Sequence, residues 1–293
     1  MKKKRGYYIL AILVILIWST TFVSTKTLLS VLTPIEIMFC RFIIAYIILL
    51  IAYPRIHKIK SFKEELLFIG GGLFGGSVYF LAENTALQYT LASNVGILVA
   101  AAPLFTAFTA HIFMKEEKAD KQWYMGAIIA FIGVFLVIFN GRFVLKLNPM
   151  GDFLAILAAL SWAFYSVMIK KIGTSYKNIY ISRKIFFYAI LTMLPVLIYE
   201  KGNFGGSEFF TGKVISNLLF LGILASSICY VLWNKVIFNI GAVKANNFIY
   251  LSPLFTTIFS ALILHEKITL VAVLGGILII FGVYVSEKKI NKG

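Results

Sequence analysis

Apolar runs separated by short polar connections repeat along the whole chain. The runs cover residues 7–27, 34–53, 66–87, 91–113, 122–139, 152–169, 178–199, 215–238, 244–264 and 268–285. Each is close to the roughly 20 residues that a helix needs to cross a bilayer. Lys2, Lys3, Lys4 and Arg5 precede the first run and resemble the charged start of a signal peptide. The run is too long for that, and no small-x-small cleavage site closes it, so it reads as a retained first helix. Pro34 suits the first position of the second helix. Gly71/Gly75 and Gly72/Gly76 give the third two overlapping small-xxx-small patterns, which let a neighbouring backbone approach closely. Pro103 breaks the fourth near its centre, and Pro253 breaks the ninth. A helix proline of this kind frees the carbonyl four residues earlier, here Val99 and Ile249. A kink for packing and a carbonyl offered to a ligand are both consistent with that.

The ten runs are two sets of five. Gly72 to Thr106 is written again as Gly222 to Thr256 without a gap, with Gly72 on Gly222, Ser77 on Ser227, Asn84 on Asn234 and Pro103 on Pro253. Trp18 falls on Trp162, Arg41 on Arg183, Glu117-Lys118 on Glu266-Lys267 and Gly133 on Gly282. A repeat of this length is half of the protein. An odd number of spans per repeat forces the second half to cross in the opposite sense. The expected fold is an all-α integral membrane protein of ten transmembrane helices in two inverted five-helix repeats, 7–139 and 152–285. Asn140-Gly141 and Asn148-Pro149 mark the connection between them as the hinge.

Charge sets the orientation. With the N-terminus cytoplasmic, the inner segments hold nineteen Lys and Arg residues and the outer segments six, among them Lys26, Arg142, Lys146 and Lys267. This bias predicts a multi-pass protein of the cell membrane with both termini cytoplasmic. The net charge of +16 is mostly this signal, so it implies attraction to anionic lipid and no nucleic-acid partner. Composition agrees: 60% of residues are hydrophobic and 14% charged, against about 25% charged in soluble domains. Cys40 and Cys229 lie far apart inside apolar runs, and His57, His111 and His265 stand alone, so no metal site and no disulfide framework are expected. No Walker-type glycine loop is present, and no cofactor is expected.

Inverted repeats of membrane helices point to a secondary transporter that binds a small-molecule substrate near the midplane between the repeats. The rival readings are a membrane-embedded enzyme and an assembly factor. The first lacks paired acids or a Ser/His arrangement, and the second lacks a sizeable extramembrane segment. No catalytic residue is assigned, and nothing in the pattern sets an oligomeric state. Trp18 through Lys26 (Trp-Ser-Thr-Thr-Phe-Val-Ser-Thr-Lys), Pro34 through Arg41-Phe42, Asn84 through Thr90, Pro103, Glu117-Lys118 and the Gly126…Gly133 spacing together resemble the EamA-type transporters of the drug/metabolite transporter superfamily. The resemblance spans nearly the whole chain. It implies a ten-helix carrier, often an exporter of amino acids or other small metabolites; others in the superfamily move nucleotide sugars, sugar phosphates or cationic drugs. Export and import both stay open.

Candidate substrate contacts follow from depth and symmetry. Trp18 and Trp162 sit at mid-span, away from the interfacial belt where tryptophan is usual, with Ser19 beside one and Tyr165 near the other. They read as walls of a shared cavity or as a packing pair. Asn84 and Asn234 read as substrate contacts or as interhelical hydrogen bonds. Asn247 and Tyr250, with Asn246, give the ninth span a polar face that the fourth lacks. Tyr79 and Tyr230 are further wall candidates. Glu83 is the one acid well inside a span, and an intramembrane acid marks function by default. Proton coupling, binding of a substrate amine, or simple reach to the interface each fit it. Its spacing puts it on the face of Gly72 and Gly76. Its depth matches that of Arg41 to within about 5 Å at a rise of 1.5 Å per residue, which predicts an ion pair between them.

Overall fold

The computed structural model describes residues 2–58, 60–90, 92–114, 117–139, 148–202, 204, 206–264 and 268–287. Among these residues every regular element is a helix, and there is no strand. The first repeat contains α1 (Lys2–Leu28), α2 (Pro34–Ala52), α3 (Phe62–Gly72), α4 (Val78–Tyr89), α5 (Ala92–Val99), α6 (Ala102–Phe113) and α7 (Lys121–Phe139). The second contains α8 (Pro149–Ile172), α9 (Asn178–Tyr199), α10 (Gly212–Leu219), α11 (Cys229–Ile240), α12 (Ala242–Asn247), α13 (Leu251–Leu264) and α14 (Leu270–Glu287). Helices α3 and α4 form one continuous rod through a π-helical stretch, Leu73–Ser77, and α10 and α11 another through Phe220–Ile228. With α5 joined to α6 and α12 to α13, the helices make ten rods, five in each repeat. Eight helical stretches are long and apolar enough to cross a membrane, and Arg5–Thr21 is a shorter apolar helix. Large side chains such as Ile128, Ile132, Ile277 and Phe281 point outward, where lipid is their natural solvent.

Local sequence explains where the rods begin. Thr33 caps α2 in a reciprocal capping box: its backbone N–H donates to Glu36 Oε2 at 2.8 Å while its hydroxyl accepts from the Glu36 N–H. Asn148 caps α8, accepting from Met150 and Gly151, and Pro149 stands in the first helical turn. The Asn148-Pro149 pair is therefore a helix start, and α8 begins three residues earlier than the apolar run; residues 140–147 of the proposed hinge lie outside the described residues. So do Glu266 and Lys267.

The prolines act differently from the sequence expectation. Pro103 lies in the first turn of α6, after a break at Ala100 and Ala101. Pro253 lies in the first turn of α13, after the 3-10 turn Phe248–Tyr250. Neither proline kinks a running helix. Each starts a new helical segment, where a missing N–H costs nothing because that donor has no intrahelical partner anyway.

Packing follows the repeat symmetry. Mates pack on mates: α2 lies against α9, and α7 against α14. The α1 helix packs on α11 and α13, while its mate α8 packs on α4 and α6. The crossing of α7 and α14 is closest, and glycine makes it possible. A β-carbon at Gly126 would sit 2.5 Å from the Gly282 carbonyl oxygen, and one at Gly133 would sit 2.5 Å from that of Gly275. Gly72 and Gly76 likewise press on Ala189 of α9.

Charged links join the repeats at the face where α1 begins, called here the N-terminal face. Glu117 pairs with Lys170 at 3.1 Å and accepts from the Ala242 N–H at 2.6 Å, at the start of α12. Glu65 pairs with Lys184 at 2.5 Å and also accepts from Tyr188. Arg183 donates to the carbonyls of Tyr53 and Arg55, closing the end of α2.

Candidate substrate site

Four helices bring aromatic side chains to one place midway through the bundle: α1 (Trp18), α4 (Tyr79), α8 (Trp162 and Tyr165) and α11 (Tyr230 and Trp233). Trp18 and Trp162, the repeat mates, meet edge-on with ring centroids 5.5 Å apart. Trp18 also lies 5.7 Å from Tyr230 and 5.2 Å from Trp233. Tyr79 is 5.4 Å from Trp162, and Tyr165 is 5.0 Å from it. Edge-on and offset contacts at these spacings are the arrangements that ring quadrupoles favour.

The polar atoms of this cluster are held by specific partners. Three of these partners are carbonyls of the two π-helical stretches. Trp18 Nε1 donates to the Ala225 carbonyl at 2.9 Å, and the Tyr230 hydroxyl donates to the Gly75 carbonyl at 2.9 Å. Ser161 donates to the Phe74 carbonyl at 2.8 Å. Trp162 Nε1 donates to Asn246 Oδ1 at 2.7 Å, and Asn246 in turn donates to Ser166. Ser19 donates to the Ile15 carbonyl and meets Ser252 at 3.2 Å. Trp233 Nε1 is buried without a partner among the described residues.

The remaining candidates separate. Asn234 is fully buried; it accepts from the Tyr165 hydroxyl at 2.7 Å and donates to Ser182 at 3.1 Å, so it ties α11 to α8 and α9. Among the described residues its mate Asn84 reaches only the sulfur of Met38 at 3.5 Å, and it lines a cavity of about 480 Å³ at the opposite face, with Leu29 to Pro34 and Gln88. Inverted symmetry sends mates away from the midplane to opposite depths, so one small ligand does not meet both. Asn247 is buried and donates to Ser286 and Glu287 near the N-terminal face. Tyr250 is buried, with no partner for its hydroxyl among the described residues.

The expected Arg41–Glu83 ion pair does not form. Arg41 Nε donates to the Ser226 hydroxyl at 3.0 Å, and its guanidinium lies 4.8 Å from the Phe80 ring centroid. Glu83 accepts from the Tyr79 hydroxyl at 3.0 Å, one turn back on its own helix. The two residues share a depth, but α2 packs chiefly on α9 and on Phe220–Ile228, which turns Arg41 toward Ser226. The π-helical stretch Leu73–Ser77 lies between Gly72 and Glu83, so α-helical spacing does not carry over from one to the other.

The chain matches the profile of the EamA-like transporter family over residues 5–139 and 149–287. It belongs to that family. This EamA-like chain is 29% identical to an uncharacterized transporter of Archaeoglobus fulgidus, over 96% of its own length and 97% of the relative's. It is 26% identical to a protein of Salmonella typhimurium named as a probable amino-acid metabolite efflux pump, over 98% of its length and 95% of the other's. A crystal structure 18% identical to it superposes with a TM-score of 0.78, over 96% of this chain and 98% of that one, which establishes the shared fold.

Sequence reading of this EamA-like chain undervalued three side chains. Trp233 carries no signal of its own there, and Asn246 adds to a polar face without an assigned role. Ser182, which bonds Asn234, had no signal at all. The aromatic gathering itself was legible, because Trp18 and Trp162 are mates at mid-depth, where inverted symmetry brings mates together.

Proposed function

We propose that this transporter is a secondary carrier of the cell membrane that exports a small metabolite of the amino-acid class. Both termini are cytoplasmic in this reading, and the repeats alternate in giving access to a midplane site. The observation that carries it is the contact of Trp18 and Trp162, 5.5 Å apart and drawn from opposite repeats. A site shared by two repeats changes its access when one repeat rocks against the other. The name of the Salmonella typhimurium relative, a probable amino-acid metabolite efflux pump, supports the substrate class. Glu117–Lys170 and Glu65–Lys184 link the repeats at the N-terminal face, and opening toward the cytoplasm separates them in this reading. Glu83 and Tyr79 serve a substrate amine or a transported proton.

Reconstitution in proteoliposomes tests the reading. Amino acids trapped on one side should exchange with labelled amino acids on the other, with no ATP. Trp18→Phe and Trp162→Phe should slow exchange at least tenfold while elution and abundance stay near those of the parent. Exchange of no amino acid would overturn the substrate class, and normal exchange by both variants would remove the tryptophans from the site.

A further inference from the structure

The structure assigns Arg41 as the residue that recognises an anionic group, a carboxylate, on the transported molecule. The inference rests on the carrier reading and narrows its substrate to compounds bearing a carboxylate next to an amine.

Arg41 lies within α2 and is 5% exposed. A guanidinium stays charged in proteins and carries five N–H donors. Only Nε has a partner among the described residues, the Ser226 hydroxyl at 3.0 Å; Nη1 and Nη2 have none. No acid of the described residues forms an ion pair with it. One face of the guanidinium is covered by Phe80 at 4.8 Å, with Phe42 at 5.7 Å. A charge held this deep is expensive, and intramembrane charges are retained where they meet a partner or a substrate.

The repeat supplies an internal comparison. Arg183 occupies the matching position in α9 and spends both of its Nη groups on the carbonyls of Tyr53 and Arg55. It braces the end of α2. Arg41 spends only Nε on such a link, to Ser226, so bracing does not account for its two Nη groups. Its planar fork is free at the edge that matches a carboxylate in two-point fashion.

Its neighbourhood selects the ligand. Tyr230 and Glu83 lie within electrostatic range of Arg41, and Tyr230 touches Trp18. The guanidinium is thus continuous with the aromatic cluster. Glu83 stands apart from it on α4, held by Tyr79. A positive and a negative group in electrostatic reach of each other, not paired, fit a zwitterion laid between them. A phosphate dianion would be repelled by Glu83, and a purely cationic compound by Arg41.

The test uses the full chain in detergent and reads intrinsic tryptophan fluorescence, since Trp18, Trp162 and Trp233 surround the site. The probes are the twenty amino acids, each with its carboxamide, in which a neutral amide replaces the carboxylate. At least one amino acid should change the fluorescence, and its carboxamide should bind at least tenfold more weakly. Arg41→Gln should lose at least tenfold of the affinity for the acid and treat acid and amide alike. Arg41→Lys should keep part of the preference. A merely structural arginine would not alter the ratio of acid to amide. If Arg41→Gln does not fold, Ser226→Ala keeps the charge, loosens its aim and should still lower the acid-to-amide ratio. The assignment is overturned if Arg41→Gln or, in its place, Ser226→Ala keeps the full preference. It is equally overturned if the parent binds amides as well as acids, or if no amino acid binds. Binding that follows the expected pattern without exchange in proteoliposomes would leave Arg41 in place and sink the carrier reading instead.

Discussion

The carbonyls of Gly75 and Ala225 stand at the same place in the two repeats, and each accepts a hydrogen bond from an aromatic side chain of the other repeat. Tyr230 donates to Gly75, and Trp18 donates to Ala225, both at 2.9 Å. Both carbonyls lie in π-helical stretches, Leu73–Ser77 and Phe220–Ile228. The repeats are therefore joined at the midplane by a reciprocal pair of bonds.

Tyr230→Phe tests this link with little change of shape. It removes the hydrogen bond to the Gly75 carbonyl, which contributes about 0.5–1.5 kcal/mol. Thermal unfolding in detergent should show a lower midpoint, and exchange in proteoliposomes should slow. An unchanged midpoint would mean that water replaces the hydroxyl.

The α7–α14 crossing should tolerate no side chain at its glycines. A β-carbon at Gly282 would lie 2.4 Å from the Ala130 nitrogen. Overpacking of this kind costs about 1–3 kcal/mol or more, so Gly282→Leu and Gly126→Leu should accumulate poorly. Gly6→Leu, with nothing within 4 Å of the added carbon, should accumulate normally. Quantitative blotting of membranes decides the comparison.

Glu117 should govern access at the N-terminal face. It joins Lys170 at 3.1 Å and accepts from the first backbone N–H of α12, from Ala242, at 2.6 Å. In protein carrying Cys40→Ser and Cys229→Ser, a cysteine placed at Val243 should react faster with an impermeant maleimide once Glu117→Ala is added. The reagent should act from the cytoplasmic side. Equal labelling in both backgrounds would show that the contact does not gate that face.

Orientation has its own measurement. A reporter fused after Lys60 should read cytoplasmic, and one fused after Gly202 external. The same side at both sites would remove the inverted arrangement of the first seven rods.

Sequence by itself determined the ten helical rods, the repeat and the opposite sense of its halves, because hydrophobic length and residue spacing along a helix are one-dimensional quantities. It also determined which residues share a depth, since rise per residue is nearly constant. Hence Trp18 and Trp162 were legible as a meeting pair. Only the tertiary structure decided which way each side chain turns at that depth. Two π-helical stretches, Leu73–Ser77 and Phe220–Ile228, rotate the helices beyond them by an amount that α-helical spacing does not contain. That rotation, with the packing of α2 on Phe220–Ile228, sent Arg41 to Ser226 instead of Glu83. Packing likewise buried Asn234 between three helices and left its mate Asn84 at the opposite face. Depth belongs to the chain, whereas azimuth belongs to the neighbours that a helix packs against.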